Sequence, residues 1–342
     1  MQNHEFYMKR AIYLAERALG LTYPNPMVGC VIVCEDRIIS EAWHHKAGEP
    51  HAEINAINSV FNKNLLRNST LYVTLEPCSH YGKTPPCAEK ISELKIPRVV
   101  IGTLDPHKKV NGKGINIIKN TGIEVITNIL EDKCRELNKY FFCFHEKKRP
   151  YITLKWAESK DGFIDKDFRP FPISNSLSQW ENHNLRTKNQ AILVGTNTAL
   201  RDNPRLTIRG LSAKNPTRIV LDKNLLIPQN FHILNGESDT IILNEKEEKN
   251  VKNLHYIKLD FNQNLLQNLM KILHNRNIQS LIVEGGAFTL NKFLESNLWD
   301  EIRMFKSKDL VIKNGTKSPN IANYKELYTK NIRNDELIVY KK

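Results

Sequence analysis

Residues 70–89 read TLYVTLEPCSHYGKTPPCAE, and the patterns inside this stretch decide the fold of the first half of the chain. Residues 70–75 are apolar and β-branched without a charge, the signature of a buried strand. Glu76-Pro77 ends that strand and delivers Cys78 just beyond it. Pro86-Cys87-Ala88-Glu89 then opens a helix running to about Leu94, since proline suits a helix start and not its interior. A strand feeding a helix through a short loop is the unit of a layered α/β sheet.

The same alternation extends outward. Residues 6–19 carry apolar side chains at helical spacing, and Pro24-Asn25-Pro26 breaks them. Residues 28–33 read as a buried strand, 37–41 as its hairpin partner, and 52–60 as a helix that begins just after His51. Strands at 98–103 and 124–127 and one continuous helix over 131–144 complete the pattern. Val110-Asn111-Gly112-Lys113-Gly114 holds a Gly-x-Gly but lacks the strand–helix context of a dinucleotide loop, and reads as a turn.

Glu146-Lys147-Lys148-Arg149-Pro150 is charged and ends in proline, which suits a linker. A second α/β pattern follows. Strands are expected at 151–156, 191–195, 218–221, 240–243, 280–284, 302–305 and 337–340, with helices at 176–188, 265–276 and 288–296. The chain therefore divides into domains at 1–146 and 150–342.

The 342 residues are 40% hydrophobic and 25% charged, the composition of a soluble globular protein. No apolar run approaches the ~20 residues of a membrane span. The start of the chain lacks the basic-then-apolar layout of a signal peptide, so a cytoplasmic location is expected. The net charge of +13 invites a nucleic-acid reading, but it is spread as +5 over residues 1–150 and +8 over the rest. No basic face is evident, so neither nucleic acid nor membrane is expected as a partner; a homo-oligomer stays open. Of six cysteines, Cys30, Cys34, Cys134 and Cys143 lie in apolar surroundings and read as small buried residues.

His51, Cys78 and Cys87 are three good zinc ligands, each at the end of a regular element. Three protein ligands leave a tetrahedral position open for water, which is the mark of a catalytic zinc. Glu53, two residues past His51, is placed to shuttle protons. His-x-Glu followed by Pro-Cys and a further cysteine is the signature of zinc nucleobase deaminases, with the glutamate as acid/base. Those enzymes have two residues between the cysteines; this chain has eight. The loop therefore differs where the substrate is chosen.

Three segments carry a closer likeness: residues 22–30 (TYPNPMVGC), 44–53 (HHKAGEPHAE) and 74–87 (TLEPCSHYGKTPPC). They resemble the bifunctional riboflavin-biosynthesis deaminase–reductases. The resemblance implies a cytidine-deaminase-like three-layer domain followed by a dihydrofolate-reductase-like α/β domain. It implies zinc-dependent deamination of a diaminopyrimidinone ribosyl phosphate, then NADPH reduction of the ribosyl group to ribityl. It also places Asn25, His44 and Lys83 in the pyrimidine pocket. Asn25 between two prolines is held stiffly enough to read a base edge, and Lys83 on the inter-cysteine loop could reach a phosphate. Alone, the first would be a turn residue and the second a solvated lysine.

The second half has no Gly-x-Gly-x-x-Gly after its first strand, so a Rossmann site is not indicated. Its resemblance to the reductase half of the same family rests on residues 153–162 (TLKWAESKDG), 193–207 (LVGTNTALRDNPRLT) and 282–289 (IVEGGAFT). The likeness implies cofactor contacts at Thr198, Asp202, Gly286, Ala287, Phe288 and Thr289. It implies substrate contacts at Arg186, Leu206, Arg209 and Glu284, with Lys155 in the catalytic cleft. Arg186 and Arg209 have the planar donors that suit a ribose phosphate. Glu158 and Pro172 depart from the family pattern, which leaves as one alternative a C-terminal half turned non-catalytic module; the net charge of +13 leaves as another a nucleic-acid base deaminase.

Overall fold

The computed structural model describes residues 3–81, 85–107, 110–209 and 214–342. The chain divides into two compact units, Met1–Lys147 and Lys148–Lys342.

In the first unit, β1 (Gly29–Cys34), β2 (Arg37–Trp43), β3 (Ser69–Leu75), β4 (Arg98–Thr103) and β5 (Glu124–Ile126) form a sheet in the order β2-β1-β3-β4-β5. β1 pairs antiparallel with β2 and β3, whereas β3–β4 and β4–β5 are parallel. β1 and β3 are buried along their whole length, and their alternation serves two cores. Cys30, Ile32, Leu71 and Val73 pack with Ala52, Ala56 and Ile57 of α2 (Ala52–Ser59), Ala88 and Ile91 of α3 (Cys87–Glu93), and Ile115 and Ile118 of α4 (Lys113–Asn120). Val31, Val33 and Tyr72 face the other way, onto Tyr7, Met8, Ala11 and Leu14 of α1 (His4–Glu16) and Cys134 of α5 (Glu131–Leu137). Helix, sheet and helix make three layers. α1 lies so close to β1 that a Cβ on Gly29 would sit 1.9 Å from the Ala11 carbonyl oxygen.

Two expectations need correction here. The helix over 131–144 is two helices, α5 and α6 (Lys139–Lys147), broken at Asn138. The Gly-x-Gly at 112–114 opens α4 rather than making a free turn. Gly112 takes φ +84 as its N-cap, and Gly114 lets the helix start against the Pro77 carbonyl, 2.0 Å from where its Cβ would be.

In the second unit a sheet runs in the order β10-β11-β9-β8-β7-β12-β6-β13-β15-β14 among the described residues. Its strands are β6 (Tyr151–Glu158), β7 (Ala191–Gly195), β8 (Thr217–Leu221), β9 (Thr240–Asn244), β10 (Lys249–Val251), β11 (Leu254–Lys258), β12 (Ser280–Val283), β13 (Glu301–Ser307), β14 (Glu326–Ile332) and β15 (Asp335–Lys341). The strands from β11 to β13 in that order are parallel, and only the outer pairings are antiparallel. α9 (Leu265–Asn275) and α10 (Ala287–Glu295) cover one face through Leu269, Leu273, Leu290 and Phe293. α7 (Ser176–Thr187) and α8 (Thr196–Asp202) contribute Leu185 and Ala199 to the other. In open parallel sheets, ligand sites gather beyond the carboxyl ends of the strands. That is where Glu284 and Thr196 emerge from β12 and β7. No described helix is long and apolar enough to cross a membrane.

Candidate active sites

Three element ends converge in the first unit. His51 is the N-cap of α2 in extended conformation, with no cap bond from its side chain, so its ring is left for another partner. Cys78 follows β3, and Cys87 is the first residue of α3. Their Sγ atoms stand 3.5 and 3.4 Å from His51 Nδ1, and the three donor atoms all lie within 4.8 Å of one another. Tetrahedral zinc with bonds of about 2.3 Å to sulfur and about 2.0–2.1 Å to nitrogen separates its nitrogen and sulfur donors by about 3.5–3.6 Å. The residues therefore fit a zinc ion, and no fourth protein donor joins this group among the described residues. The Cys87 thiol and backbone N–H both point at Cys78 Sγ, which outweighs burial and, with His51, pulls the Cys78 thiol down to about 4. Thiolate character is what metal ligation requires.

Glu53 sits in the first turn of α2, 3% exposed. Burial pushes its carboxyl up to about 7, although His51 pulls the other way. A carboxyl that exchanges a proton near neutral pH is suited to acid–base work.

Asn25 and His44 are brought together beside the ligands. The His44 ring lies edge-on to the His51 ring, with centroids 5.4 Å apart. His44 Nδ1 is 3.1 Å from the Pro50 carbonyl, which can only accept, so Nδ1 carries the proton. His44 Nε2 then accepts from Asn25 Nδ2 at 3.1 Å. Burial holds the imidazole below its ordinary pKa, which favours this neutral form. The amide of Asn25 is thereby oriented, with Oδ1 left to face another group. Lys83 lies outside the described residues.

Glu76 and Asn138 were not singled out from sequence. Glu76 is buried and accepts from the backbone N–H groups of Gly112, Gly114 and, at longer range, Asp105 and Ile115. It ties the start of α4 to the strand end that carries Cys78. Glutamate at a strand terminus opposite a Gly-x-Gly was the available signal. Burial, with the charges of Glu76 and Cys78 nearby, raises Asp105 to about 6.

In the second unit, Arg186 of α7 grips Glu284 with two bonds, Nε to Oε1 at 3.1 Å and Nη2 to Oε2 at 2.8 Å. Arg186 Nη1 donates to the Thr207 carbonyl at 3.1 Å. The guanidinium thus spends much of its donor set inside the protein, leaving exposed Arg209 as the freer cation of the two. Burial would raise the Glu284 carboxyl, but Arg186 and Lys155 bring it down to about 2. Burial lowers the Lys155 ammonium, with Glu284 partly opposing and Arg186 reinforcing. Its Nζ lies 5.6 Å above the Phe305 ring. His183 of α7, also missed, faces the same charges, and its buried Nδ1 has no hydrogen-bond partner among the described residues.

Leu206 adopts φ +51 with its side chain in the core, so it can offer a ligand little but backbone. Thr198 Oγ1 accepts from Gly286 N at 2.7 Å and fixes the glycine turn before α10. Ala287 and Phe288 open α10, and Phe288 is 75% exposed. Thr289 is buried with its side chain against Gly195 and Gly285, where any Cβ would collide with it. Asp202 ends α8 on the surface. Glu158 is buried, accepting from Trp156 Nε1 at 3.0 Å and paired with Lys306 at 3.2 Å. Strand alternation puts it on the face of β6 opposite Lys155.

Comparison with known proteins adds an independent line. Residues 1–103 match the cytidine and deoxycytidylate deaminase zinc-binding region, and residues 150–307 match the RibD C-terminal domain. The riboflavin biosynthesis protein RibD of Aquifex aeolicus is 42% identical over 308 residues, covering 87% of this chain and 85% of that one. Its counterpart in Bacillus amyloliquefaciens is 38% identical, covering 93% and 87%. The crystal structure of a diaminohydroxyphosphoribosylaminopyrimidine deaminase/5-amino-6-(5-phosphoribosylamino)uracil reductase from Thermotoga maritima is 35% identical. It superposes with a TM-score of 0.90 over 99% of this chain and 98% of that one.

Proposed function

The chain belongs to the bifunctional riboflavin-biosynthesis deaminase–reductase family, and we propose that it deaminates 2,5-diamino-6-(ribosylamino)pyrimidinone 5′-phosphate and then reduces the ribosyl group to ribityl. The observation that carries this reading is the zinc-ligand triangle of His51, Cys78 and Cys87 with Glu53 buried beside it. It lies in the same chain as the Lys155, Arg186 and Glu284 cluster.

When bound by His51, Cys78 and Cys87, zinc supplies the Lewis acidity that makes water nucleophilic at neutral pH. Glu53 takes one proton of the attacking water and gives it to the ring nitrogen, then takes the second from the new hydroxyl and gives it to the amino group, so that a carbonyl forms and the C–N bond breaks with its electron pair leaving on ammonia. Asn25 reads the pyrimidine edge through Oδ1, and Lys83 meets the phosphate. In the second unit, Thr198, Asp202 and the turn from Gly286 to Thr289 would hold NADPH, which would supply the hydride for reduction at C1′. Reduction there would open the ribose, the C1′–O4′ electron pair passing to O4′. Lys155, made more acidic by burial, gives O4′ the proton it then needs. Glu284 and the Leu206 backbone position the ribose, Arg186 sets the Glu284 carboxylate, and Arg209 takes the phosphate. A small phosphorylated substrate, NADPH and zinc thiolates all suit the cytoplasm.

Complementation between two inactive variants tests this. Glu53→Gln should reduce pre-deaminated substrate but release ammonia at least about 10²-fold more slowly, and Lys155→Met should do the reverse. Mixed together, they should restore the complete conversion. A Glu53→Gln protein that still releases ammonia at the wild-type rate would refute the deaminase half.

A further inference from the structure

Asn25 can read a base edge only if its loop is held still, yet the residues between α1 and β1 form no helix or strand. Among its bonds, Asn25 N donates to the Thr22 carbonyl at 2.8 Å, and His44 N donates to the Val28 carbonyl at 2.9 Å. A further hold comes from 111 residues away. Asn138 Oδ1 accepts from Met27 N at 2.8 Å, and Asn138 Nδ2 donates to Met27 O at 2.8 Å. One side-chain amide thus satisfies both backbone groups of one loop residue, as a neighbouring strand would.

Asn138 is 4% exposed and sits at the break between α5 and α6, at φ −112 and ψ 27. A continuous helix here would carry residue 138 in helical conformation. The break instead presents a side chain to the loop.

We propose that Asn138 is a positioning residue for the deamination. It clamps Met27, and so sets the loop at the point from which Asn25 bonds His44. The sequence of contacts is Asn138 to Met27, then Asn25 to His44, then His44 to the carbonyl of Pro50, the neighbour of the ligand His51. Cutting the clamp leaves two half-buried backbone groups without this partner and lets Asn25 drift, while the three ligands keep their own supports. The inference rests on the reading of Asn25 as the pyrimidine contact. A purely structural Asn138, stapling α5 and α6 to the sheet, predicts a different pattern of losses.

A double-mutant cycle separates the two. Asn25→Ala, Asn138→Ala and the double variant are made in the full-length zinc-loaded enzyme. Ammonia release gives kcat and KM, and zinc content and NADPH oxidation on pre-deaminated substrate serve as references. Misplacement of a substrate contact by about 1 Å can lose about 10²-fold in rate. Asn138→Ala should lose up to that much in deamination kcat/KM, with one zinc per chain and an unchanged reductase rate. The double variant should be no worse than Asn25→Ala. Losses that multiply, zinc that falls with kcat/KM, or an unaffected Asn138→Ala would each overturn the inference. Wild-type kinetics for Asn25→Ala would instead sink the reading of Asn25, and the inference with it. Should Asn138→Ala fail to fold, Asn138→Asp keeps the size and the acceptor but not the donor. Its partial loss should vanish in the Asn25→Ala background; a loss persisting there would overturn the inference.

Discussion

Glu53 and Glu284 are both well-buried carboxylates, and their neighbours send them in opposite directions. Burial governs Glu53 and lifts it to about 7; at Glu284, Arg186 and Lys155 overcome burial and hold it at about 2. Carboxyls whose surroundings push their pKa values apart take different tasks. These shifts suit the proton-shuttle role proposed for Glu53 and a fixed-anion role for Glu284. Replacing Glu53 by Gln should keep zinc, since Glu53 is no ligand, and should lower deamination kcat by about 10²–10⁴-fold. Metal analysis beside the rate decides this, and metal loss would show that Glu53 supports the ligands instead. For Glu284 the folded-state value lies below the unfolded value of 4.5, so its stabilising contribution is present above that pH. The contribution disappears as the pH falls through about 2. Glu284→Gln, which leaves Arg186 without its charge partner, should therefore destabilise the protein by about 3 kcal/mol at pH 7. The deficit should shrink steadily in urea titrations between pH 5 and pH 3. A deficit independent of pH would mean that the lost packing, and not the ion pair, is responsible.

The elements that sequence patterns locate are those with a one-sided reason to exist. β1 and β3 carry no charge, are rich in apolar and β-branched residues and are followed directly by Glu35 and Glu76-Pro77, so they are visible as strands. α4 was not, because its N-cap and first turn hold Gly112 and Gly114, which on local grounds signal a turn. It is a helix because the Glu76 carboxylate binds the backbone N–H groups of Gly112 and Gly114 at 2.9 and 3.0 Å, a partner 36 and 38 residues distant. The break at Asn138 is equally invisible in residues 131–144, since the partner its side chain bonds, Met27, lies 111 residues away. β10 and β14 are almost wholly exposed edge strands, and no apolar alternation marks them. The proposed ligands His51, Cys78 and Cys87, by contrast, are each marked by their own neighbours in sequence. Close approach of α1 to β1 gives the element-level test. Gly29→Ala places a methyl group 1.9 Å from a backbone carbonyl, which no side-chain rotation can relieve. We expect about 3 kcal/mol of destabilisation. The urea transition of Trp43, the one tryptophan of residues 1–147, reports it. A transition unmoved by the substitution would mean that α1 is free to slide away.

Taken as one molecule, the chain joins a hydrolytic step that needs a metal to a reductive step that needs a nucleotide. The residues proposed for the two are different. Chelation should therefore abolish ammonia release and leave NADPH oxidation on pre-deaminated substrate at its original rate. Loss of both would tie zinc to the second unit as well. The spread of the +13 charge adds nothing that singles out a polyanionic partner, and a phosphorylated small molecule needs only a few of those cations. The most direct measurement follows ammonia and NADPH together, on one zinc-loaded sample given the diaminopyrimidinone ribosyl phosphate with and without NADPH. Ammonia should appear at the same rate in both, and NADPH should fall only after ammonia has begun to accumulate. NADPH consumption before any ammonia, or no ammonia from protein carrying one zinc per chain, would contradict the account.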